Sequence, residues 1–135
     1  MTREEMKART KAYANRIVKL CEALPDRWVA RTLGGQLLRS GTSVGANYRA
    51  VCRAKSTADF LNKLRIVEEE CDESLFWMEL LVENNLVKVA RLKSLMQEGD
   101  ELLSIVVASA KTTRASREHA TSSQVVNRKC VTSSY

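Results

Sequence analysis

Residues 39–53 read R-S-G-T-S-V-G-A-N-Y-R-A-V-C-R, and this stretch decides the fold. It belongs to a helical seam, a set of residues that recur every three or four positions on one side of a helix. The seam consists of Leu33, Leu37, Ser40, Val44, Asn47 and Val51. Gly41 and Gly45 stand four residues apart on a neighbouring face, where a second helix axis can approach closely. Because an interior glycine costs a helix about 1 kcal/mol, the pair predicts a tightly apposed central helix.

Length and composition favour one all-α domain. The chain has 135 residues, one proline, five glycines and few aromatic residues, so it lacks the turn signals that an all-β protein needs. Its 22 basic residues outnumber 16 acidic ones, which gives a net charge of +6. This excess is compatible with attraction to polyanions and equally with an ordinary solvated surface.

Start and stop signals divide the chain into four helices. Thr2 and Glu5 have the spacing of a capping box, and Pro25 ends the first apolar stripe. The second helix is expected over residues 27–54, the third from Ser56 to about residue 84, and the fourth from about residue 92 to near Lys111. Four helices of similar length joined by short loops predict an antiparallel up-down-up-down four-helix bundle over residues 1–112.

Charge is segregated along these helices. The first two are basic, whereas residues 68–83 of the third contain seven carboxylates and neither Lys nor Arg. The second helix has no acidic residue between its arginines, which are Arg31, Arg39, Arg49 and Arg53. Such a helix needs a partner, either an acidic helix beside it or a phosphate backbone.

Composition changes after residue 112. Residues 113–135 are rich in Ser and Thr, lose the apolar period and contain four basic residues against one acidic residue. We therefore expect a disordered basic tail over residues 113–135.

Targeting and redox features are those of a cytoplasmic protein. The first residues, M-T-R-E-E-M-K, have no apolar core, and no apolar run is long enough to span a membrane. The four cysteines, Cys21, Cys52, Cys71 and Cys130, form no C-x-x-C pair. Buried, reduced thiols are favoured over disulfides or metal ligands.

Catalytic and metal-binding patterns are missing from the sequence. The single histidine, His119, lies in the predicted tail, so the bundle can form neither a Ser-His or Cys-His pair nor a His-containing zinc or di-iron site. The glycines match neither phosphate-loop pattern. The acidic run of the third helix is read as solvated or salt-bridged. We expect no enzyme, no cofactor and no metal.

A set of motifs carries a resemblance to a known family. The motifs are S-G-T-S-V-G-A-N-Y-R-A over residues 40–50, A-D-F at 58–60, K-L at 63–64, E-E-E at 68–70, Glu73, and F-W-M-E-L-L at 76–81. In this order they resemble the bacterial four-helix-bundle family, also called 23S rRNA intervening-sequence proteins. The likeness covers roughly residues 13–111.

The resemblance implies an antiparallel bundle that assembles as a ring-shaped homopentamer. Some members of the family are encoded within insertions in large-subunit rRNA genes. More distant relatives are basic pentameric accessory proteins of diversity-generating retroelements, which work with a reverse transcriptase and nucleic acid. The resemblance defines a fold more closely than it defines an activity.

Two functional hypotheses follow. The first is an oligomer that binds nucleic acid, with RNA preferred over DNA on family grounds, through phosphate contacts of the first two helices. The residues expected to make these contacts are Arg9, Arg16, Arg31, Arg39, Arg49 and Arg53, with the tail arginines in addition. The second is a structural or adaptor protein that recruits a protein partner such as a reverse transcriptase.

Six residues are predicted to act in packing or assembly: Gly41, Gly45, Asn47, Tyr48, Phe60 and Trp77. Asn47 and Ser40 are candidates for fixing helix register, and the alternative, bonding to backbone or water, is favoured for Ser40. Tyr48 and Trp77 are read as core or interface anchors in preference to base-stacking platforms. Trp28 is expected to cover the end of the bundle. Between subunits, the basic first two helices are expected to meet the acidic third helix of a neighbour.

Overall fold

Four helices account for nearly all of the structure, a computed structural model that describes the backbone of residues 1–132 and the side chains of residues 1–122. They are α1 (Arg3–Glu22), α2 (Trp28–Val51), α3 (Thr57–Glu83) and α4 (Val89–Thr132). No strand occurs in the described backbone. The predicted all-α class and the four helices are therefore confirmed.

Local signals at the helix ends work as the sequence predicts. Thr2 accepts a hydrogen bond from the Glu5 backbone and donates one from its own backbone to the Glu5 carboxylate, which completes the capping box of α1. Ser56 caps α3 by accepting from the backbone of Asp59 at 3.0 Å. Asn85, with φ of 58°, takes the left-handed conformation that closes α3.

Each helix contacts its neighbours in a closed ring of four described helices, with α1 beside α2, α2 beside α3, α3 beside α4 and α4 beside α1. Contacts between α1 and α2 pair low numbers of one helix with high numbers of the other: Leu24 with Gly34, Ile17 with Gly41, and Thr10 with Gly45. Gly99, in the first third of α4, meets Cys71 and Leu75 in the middle part of α3. The contacts between α1 and α2 are antiparallel in order, and the antiparallel arrangement of the whole bundle stays a prediction.

The seam of α2 faces the core. Leu37, Val44 and Val51 are buried, and Ser40 is buried while donating its hydroxyl to the Gln36 carbonyl at 2.9 Å. Asn47 donates its amide to the Ser43 carbonyl of its own helix at 2.8 Å. The polar side chains of the seam thus form their hydrogen bonds with the backbone of α2. This is the alternative to a role in fixing register that the sequence left open for both residues.

The C-terminal part of α4 differs from the sequence prediction. The helix was expected to end near Lys111, but the structure gives α4 the bounds Val89–Thr132. Ala110 is the last buried residue, and residues 114–122 are all exposed. Apolar residues recur every three or four positions only where a helix packs against its neighbours. This pattern therefore could not predict that α4 extends into solvent. Residues 133–135 of the predicted tail lie outside the described residues.

A search of the described helices for one long and apolar enough to cross a lipid bilayer finds none.

Gly35 and Gly41 provide a matched pair for testing close helix packing. A Cβ at Gly41 would overlap Ile17 Cδ1 and lie 3.2 Å from its Cγ2, whereas a Cβ at Gly35 meets nothing within 4 Å. We expect Gly35→Ala to raise the free energy of unfolding by about 0.5–1 kcal/mol through helix propensity. We expect Gly41→Ala to lower it by about 1–2 kcal/mol through overpacking. Urea denaturation measures both, and a stabilised Gly41→Ala protein would contradict close packing at this point.

Candidate nucleic-acid interface

Arg9 is engaged within the bundle. Its Nε donates to the Glu98 carboxylate of α4 at 3.0 Å, and its terminal nitrogen also donates to Glu101. The hydrogen bond to Glu98 is the largest influence that raises the pKa of Arg9, and the negative charge of both carboxylates adds to it. Arg9 therefore joins α1 to α4, and its charge is compensated inside the chain.

Arg39 is engaged in the same way between α2 and α3. Its two terminal nitrogens donate to Glu70 at 3.2 Å and to Glu73 at 2.5 Å. The hydrogen bond to Glu73 raises the pKa of Arg39. The sequence left open whether the arginines of the second helix pair with an acidic helix or with phosphate. Arg39 pairs with the acidic helix α3 of its own subunit.

Two more of the predicted arginines have polar partners within the chain. Arg31 forms an exposed ion pair with Asp26 in the α1–α2 loop. Arg16 has no carboxylate within 4 Å in the described part of the chain and donates instead to the Ser94 hydroxyl of α4 at 3.0 Å. The structure thus does not bring the six predicted arginines into one free surface.

Arg49 and Arg53 are the predicted arginines with neither an ion pair nor a side-chain hydrogen bond among the described side chains. Both are exposed near the C-terminal end of α2, and neither has a carboxylate within 4 Å among the described side chains. Arg49 lies in the last turn of α2, and Arg53 lies in the turn that follows its end at Val51. A free basic surface therefore lies at this end of α2.

Arg49 also borders a shallow groove between α1 and α2, with a volume of about 470 Å³. Small residues from both helices line it, because the backbones approach closely where a Cβ on Gly45 would lie 3.3 Å from the Thr10 carbonyl oxygen. Three charged residues of α1 line the same groove, the basic Lys7 and Lys11 and the acidic Glu4. Lys7 pairs with Glu4 at 3.2 Å, whereas Lys11 has no carboxylate within 4 Å in the described structure.

Lys7 and Lys11 were not among the sequence-predicted site residues. Their spacing of four places them on one side of α1, and that signal was present in the sequence. The sequence did not show that this side of α1 faces Arg49. The register follows from how α1 packs on the glycines of α2, which requires the tertiary structure.

The three aromatic residues among the predicted packing residues lie at two separate places. Tyr48 is buried and borders a small cavity with the half-buried Phe60, whose ring lies 6.0 Å from the Arg3 guanidinium carbon. Burial raises the pKa of the Tyr48 hydroxyl. Trp77 lies on α3 with its ring 5.1 Å from that of Phe76, edge to face, and its indole N–H is buried without a hydrogen-bond partner.

An acidic stripe extends along the outer side of α3. Its members have no cation within 4 Å among the described side chains and are Glu68, Asp72, Glu79 and Glu83. Phe76 lies on the same side and is 49% exposed. Trp28, at the start of α2, is 70% exposed, so the prediction that it covers the bundle end is wrong. These apolar side chains lie on surfaces separate from the basic groove.

The core contains polar and titratable groups that are hard to reach. The Tyr13 hydroxyl hydrogen-bonds to Ser74 at 2.7 Å, and burial raises the pKa of this phenol. Burial raises the pKa of the buried Cys71 to about 12, and partial burial raises that of the half-buried Cys21 to about 11. Such thiols are poor nucleophiles near neutral pH. The described residues contain no group of three or more side chains placed to hold a metal ion.

Comparisons with known proteins are consistent with this architecture. The model of a family described as 23S rRNA-intervening sequence protein matches residues 4–108. A solved protein of unknown function from the S23 ribosomal protein family of Bacteroides thetaiotaomicron VPI-5482 is 34% identical in sequence. The match covers 78% of this chain and 98% of that one, with a TM-score of 0.74. No curated protein matches the chain.

Thiol labelling tests the burial of the cysteines. In a Cys130→Ser variant at pH 8, we expect the thiol reagent DTNB to modify Cys21 and Cys71 far more slowly in the native protein than in urea. A pKa of about 11 leaves about one Cys21 thiol in a thousand ionised at pH 8, so its labelling rate should rise about tenfold per pH unit up to pH 10. Mass spectrometry of labelled peptides assigns the sites. Equal labelling rates with and without urea would contradict the buried placement.

Proposed function

Because the chain belongs to the 23S rRNA-intervening sequence protein family, we propose that it is a non-enzymatic, homo-oligomeric protein that binds nucleic acid, with RNA preferred. The observation that carries the proposal is a set of basic side chains that have no carboxylate within 4 Å among the described residues. Lys11 and Arg49 line the groove between α1 and α2, where Lys7 pairs with Glu4, and Arg53 lies just beyond the end of α2. Binding occurs through phosphate groups, because no exposed aromatic ring lines the groove to stack on bases.

The division of the arginines refines the proposed contact surface. Arg9 and Arg39 hold carboxylates of neighbouring helices, so a phosphate would have to displace those partners to reach them. Arg49 and Arg53 need no such exchange. The proposed interface is therefore the end of α2 together with the groove, and Arg9, Arg31 and Arg39 have structural contacts instead.

A homo-oligomer strengthens this binding. One subunit offers only a few phosphate contacts, but several copies of the same patch on one RNA raise the affinity through effective concentration. The resemblance to the family implies a homopentamer. The exposed Phe76 and the acidic stripe of α3 support a contact between copies, in which apolar burial provides the attraction and charge sets the orientation.

A second candidate function uses the same α3 surface differently. Phe76 stacks edge to face on Trp77, whose buried indole N–H has no acceptor in the described structure, and carboxylates flank the pair. This surface fits a basic protein such as a reverse transcriptase, with the chain acting as an adaptor. The adaptor function predicts little binding of RNA by the protein alone.

The non-enzymatic part of the proposal rests on the placement of reactive groups. Cys21 and Cys71 have pKa values raised by burial, and His119 stands exposed on the extension of α4 away from every core thiol and hydroxyl. No described nucleophile has a histidine beside it to act as a base.

Charge reversal in the groove tests the proposed function. We expect a Lys11→Glu/Arg49→Glu double variant to bind a structured RNA at least about tenfold more weakly at low salt, and to show a salt slope smaller by about two. The matched control is Lys88→Glu/Arg91→Glu, which changes the net charge equally at the far end of the bundle, where both side chains are exposed. Fluorescence anisotropy over a salt series measures binding, and native mass spectrometry of the same samples measures assembly.

The wild-type protein should assemble to about five times its 15.2 kDa chain mass and lose RNA affinity steeply with salt. Binding that is absent at low salt, or unaltered by salt, would contradict nucleic-acid binding. An equal loss in both double variants would show that net charge alone is responsible and that the groove is not the site.

A further inference from the structure

A cavity of about 210 Å³ opens at the end of the bundle where α1 begins. Each of the four helices contributes a buried side chain to its wall, and these are Met6, Tyr48, Leu64 and Val106. Met1, which also borders the cavity, is 67% exposed. The cavity therefore reaches from the surface into the core, between helices, where bundles commonly bind small molecules.

The wall of the cavity is mainly apolar. Met6, Leu64 and Val106 offer no strong hydrogen-bonding group, and the Thr2 hydroxyl already accepts from the Glu5 backbone at 3.1 Å. A polar group placed here would lose its hydrogen bonds to water without replacement. The volume is about seven times the 30 Å³ that one water molecule occupies in the liquid, so it fits an apolar body of about seven or eight carbon atoms.

Cationic side chains border the same cavity. Arg3 and Phe60 line both the cavity and a neighbouring cleft of about 410 Å³, which Lys55 also lines. The Arg3 guanidinium carbon lies 6.0 Å from the centre of the Phe60 ring. Neither Arg3 nor Lys55 has a carboxylate within 4 Å among the described side chains. An anion in the cleft would thus meet two cationic groups beside the apolar cavity.

Acidic residues at this end of the bundle have partners of their own. The described residues that line the cavity and the cleft include neither Asp nor Glu. Asp59 accepts hydrogen bonds from Lys63 at 2.9 Å and from the Lys55 backbone at 3.0 Å. The Glu5 carboxylate accepts from the Thr2 backbone at 2.8 Å in the capping box. The charge of the cleft therefore favours a negatively charged ligand.

We propose that the cavity and the cleft form one binding site for an amphipathic anion, a carboxylate with an unbranched apolar tail of about eight carbon atoms. The tail lies in the cavity among the four helices, and the carboxylate accepts hydrogen bonds from Arg3 and Lys55. The apolar wall disfavours small hydrated anions and the polar edges of nucleobases, whereas the two cations favour a carboxylate over an alcohol of the same length. This site is separate from the groove between α1 and α2, so it goes beyond the proposed function.

Calorimetric titration of the full chain tests the site with three probes, which are octanoate, the uncharged octanol and the nucleotide AMP. We expect octanoate to bind at one site per chain. We expect octanol to bind at least about tenfold more weakly, because it lacks the charge that Arg3 and Lys55 recognise, and AMP to bind no better than octanol. No octanoate binding, equal affinity for octanoate and octanol, or a preference for AMP would overturn the proposal.

Removing the cations tests the placement of the carboxylate. The test variant is Arg3→Gln/Lys55→Gln, and the matched control is Lys88→Gln/Arg91→Gln, which removes the same charge from exposed positions at the opposite end of the bundle. We expect the test variant to bind octanoate about tenfold or more weakly and octanol as before, because only the charged probe loses its partners. An equal loss of octanoate affinity in both variants would contradict recognition by Arg3 and Lys55.

Filling the cavity tests the placement of the tail. Ser109 of α4 is half-buried and lines the cavity, so Ser109→Leu adds an apolar side chain there. We expect this variant to bind both octanoate and octanol about tenfold or more weakly, whereas Ser104→Leu, at an exposed position of α4, binds both as before. Unaltered octanoate binding by Ser109→Leu would place the ligand elsewhere. A wild-type protein that binds RNA but not octanoate would overturn this site and leave the proposed function standing.

Discussion

The close contact between α1 and α2 is the constraint on which the remaining structure depends. Side chains are absent from α2 at Gly41 and Gly45, where Ile17 and the backbone of Thr10 fill the space. The interior glycines weaken α2 as an isolated helix, so this contact must supply more stabilisation than they cost. It also fixes the relative register of the two helices. Basic residues that are far apart in sequence, such as Lys11 and Arg49, consequently line one groove.

The distribution of charge follows from the same packing. With α2 placed between α1 and α3, Arg39 reaches carboxylates of the acidic helix within its own subunit, and Arg9 reaches those of α4. Each arginine is shared by two carboxylates, an arrangement that joins neighbouring helices and lowers the repulsion between like charges. An acidic stripe on α3 and the basic side chains Arg49 and Arg53 at the end of α2 have no oppositely charged group within 4 Å among the described side chains.

Sequence patterns predicted the parts of the structure that depend on local chemistry. Capping at Thr2 and Ser56, the left-handed Asn85 and the buried seam of α2 all follow from residue type and period. The ion pairs between helices could not be predicted from residue type and period, because the partner of Arg39 depends on how the helices pack. The extension of α4 was also missed, since an exposed helix has no apolar stripe by which to recognise it. The sequence predicted a candidate interface made of arginines on the first two helices. Of the six arginines proposed, the structure leaves two, Arg49 and Arg53, without a partner in the described region.

Lysine footprinting of a complex with structured RNA tests the central claim most directly. Lysines are distributed over the whole bundle, and their acetylation rates with and without RNA can be compared by mass spectrometry in one sample. The account predicts that RNA protects Lys7, Lys11 and Lys55, while Lys88 and Lys93 react as fast as in the free protein. Protection concentrated at Lys88 and Lys93, or equal at all sites, would contradict the assignment of the free basic surface to the groove and the end of α2.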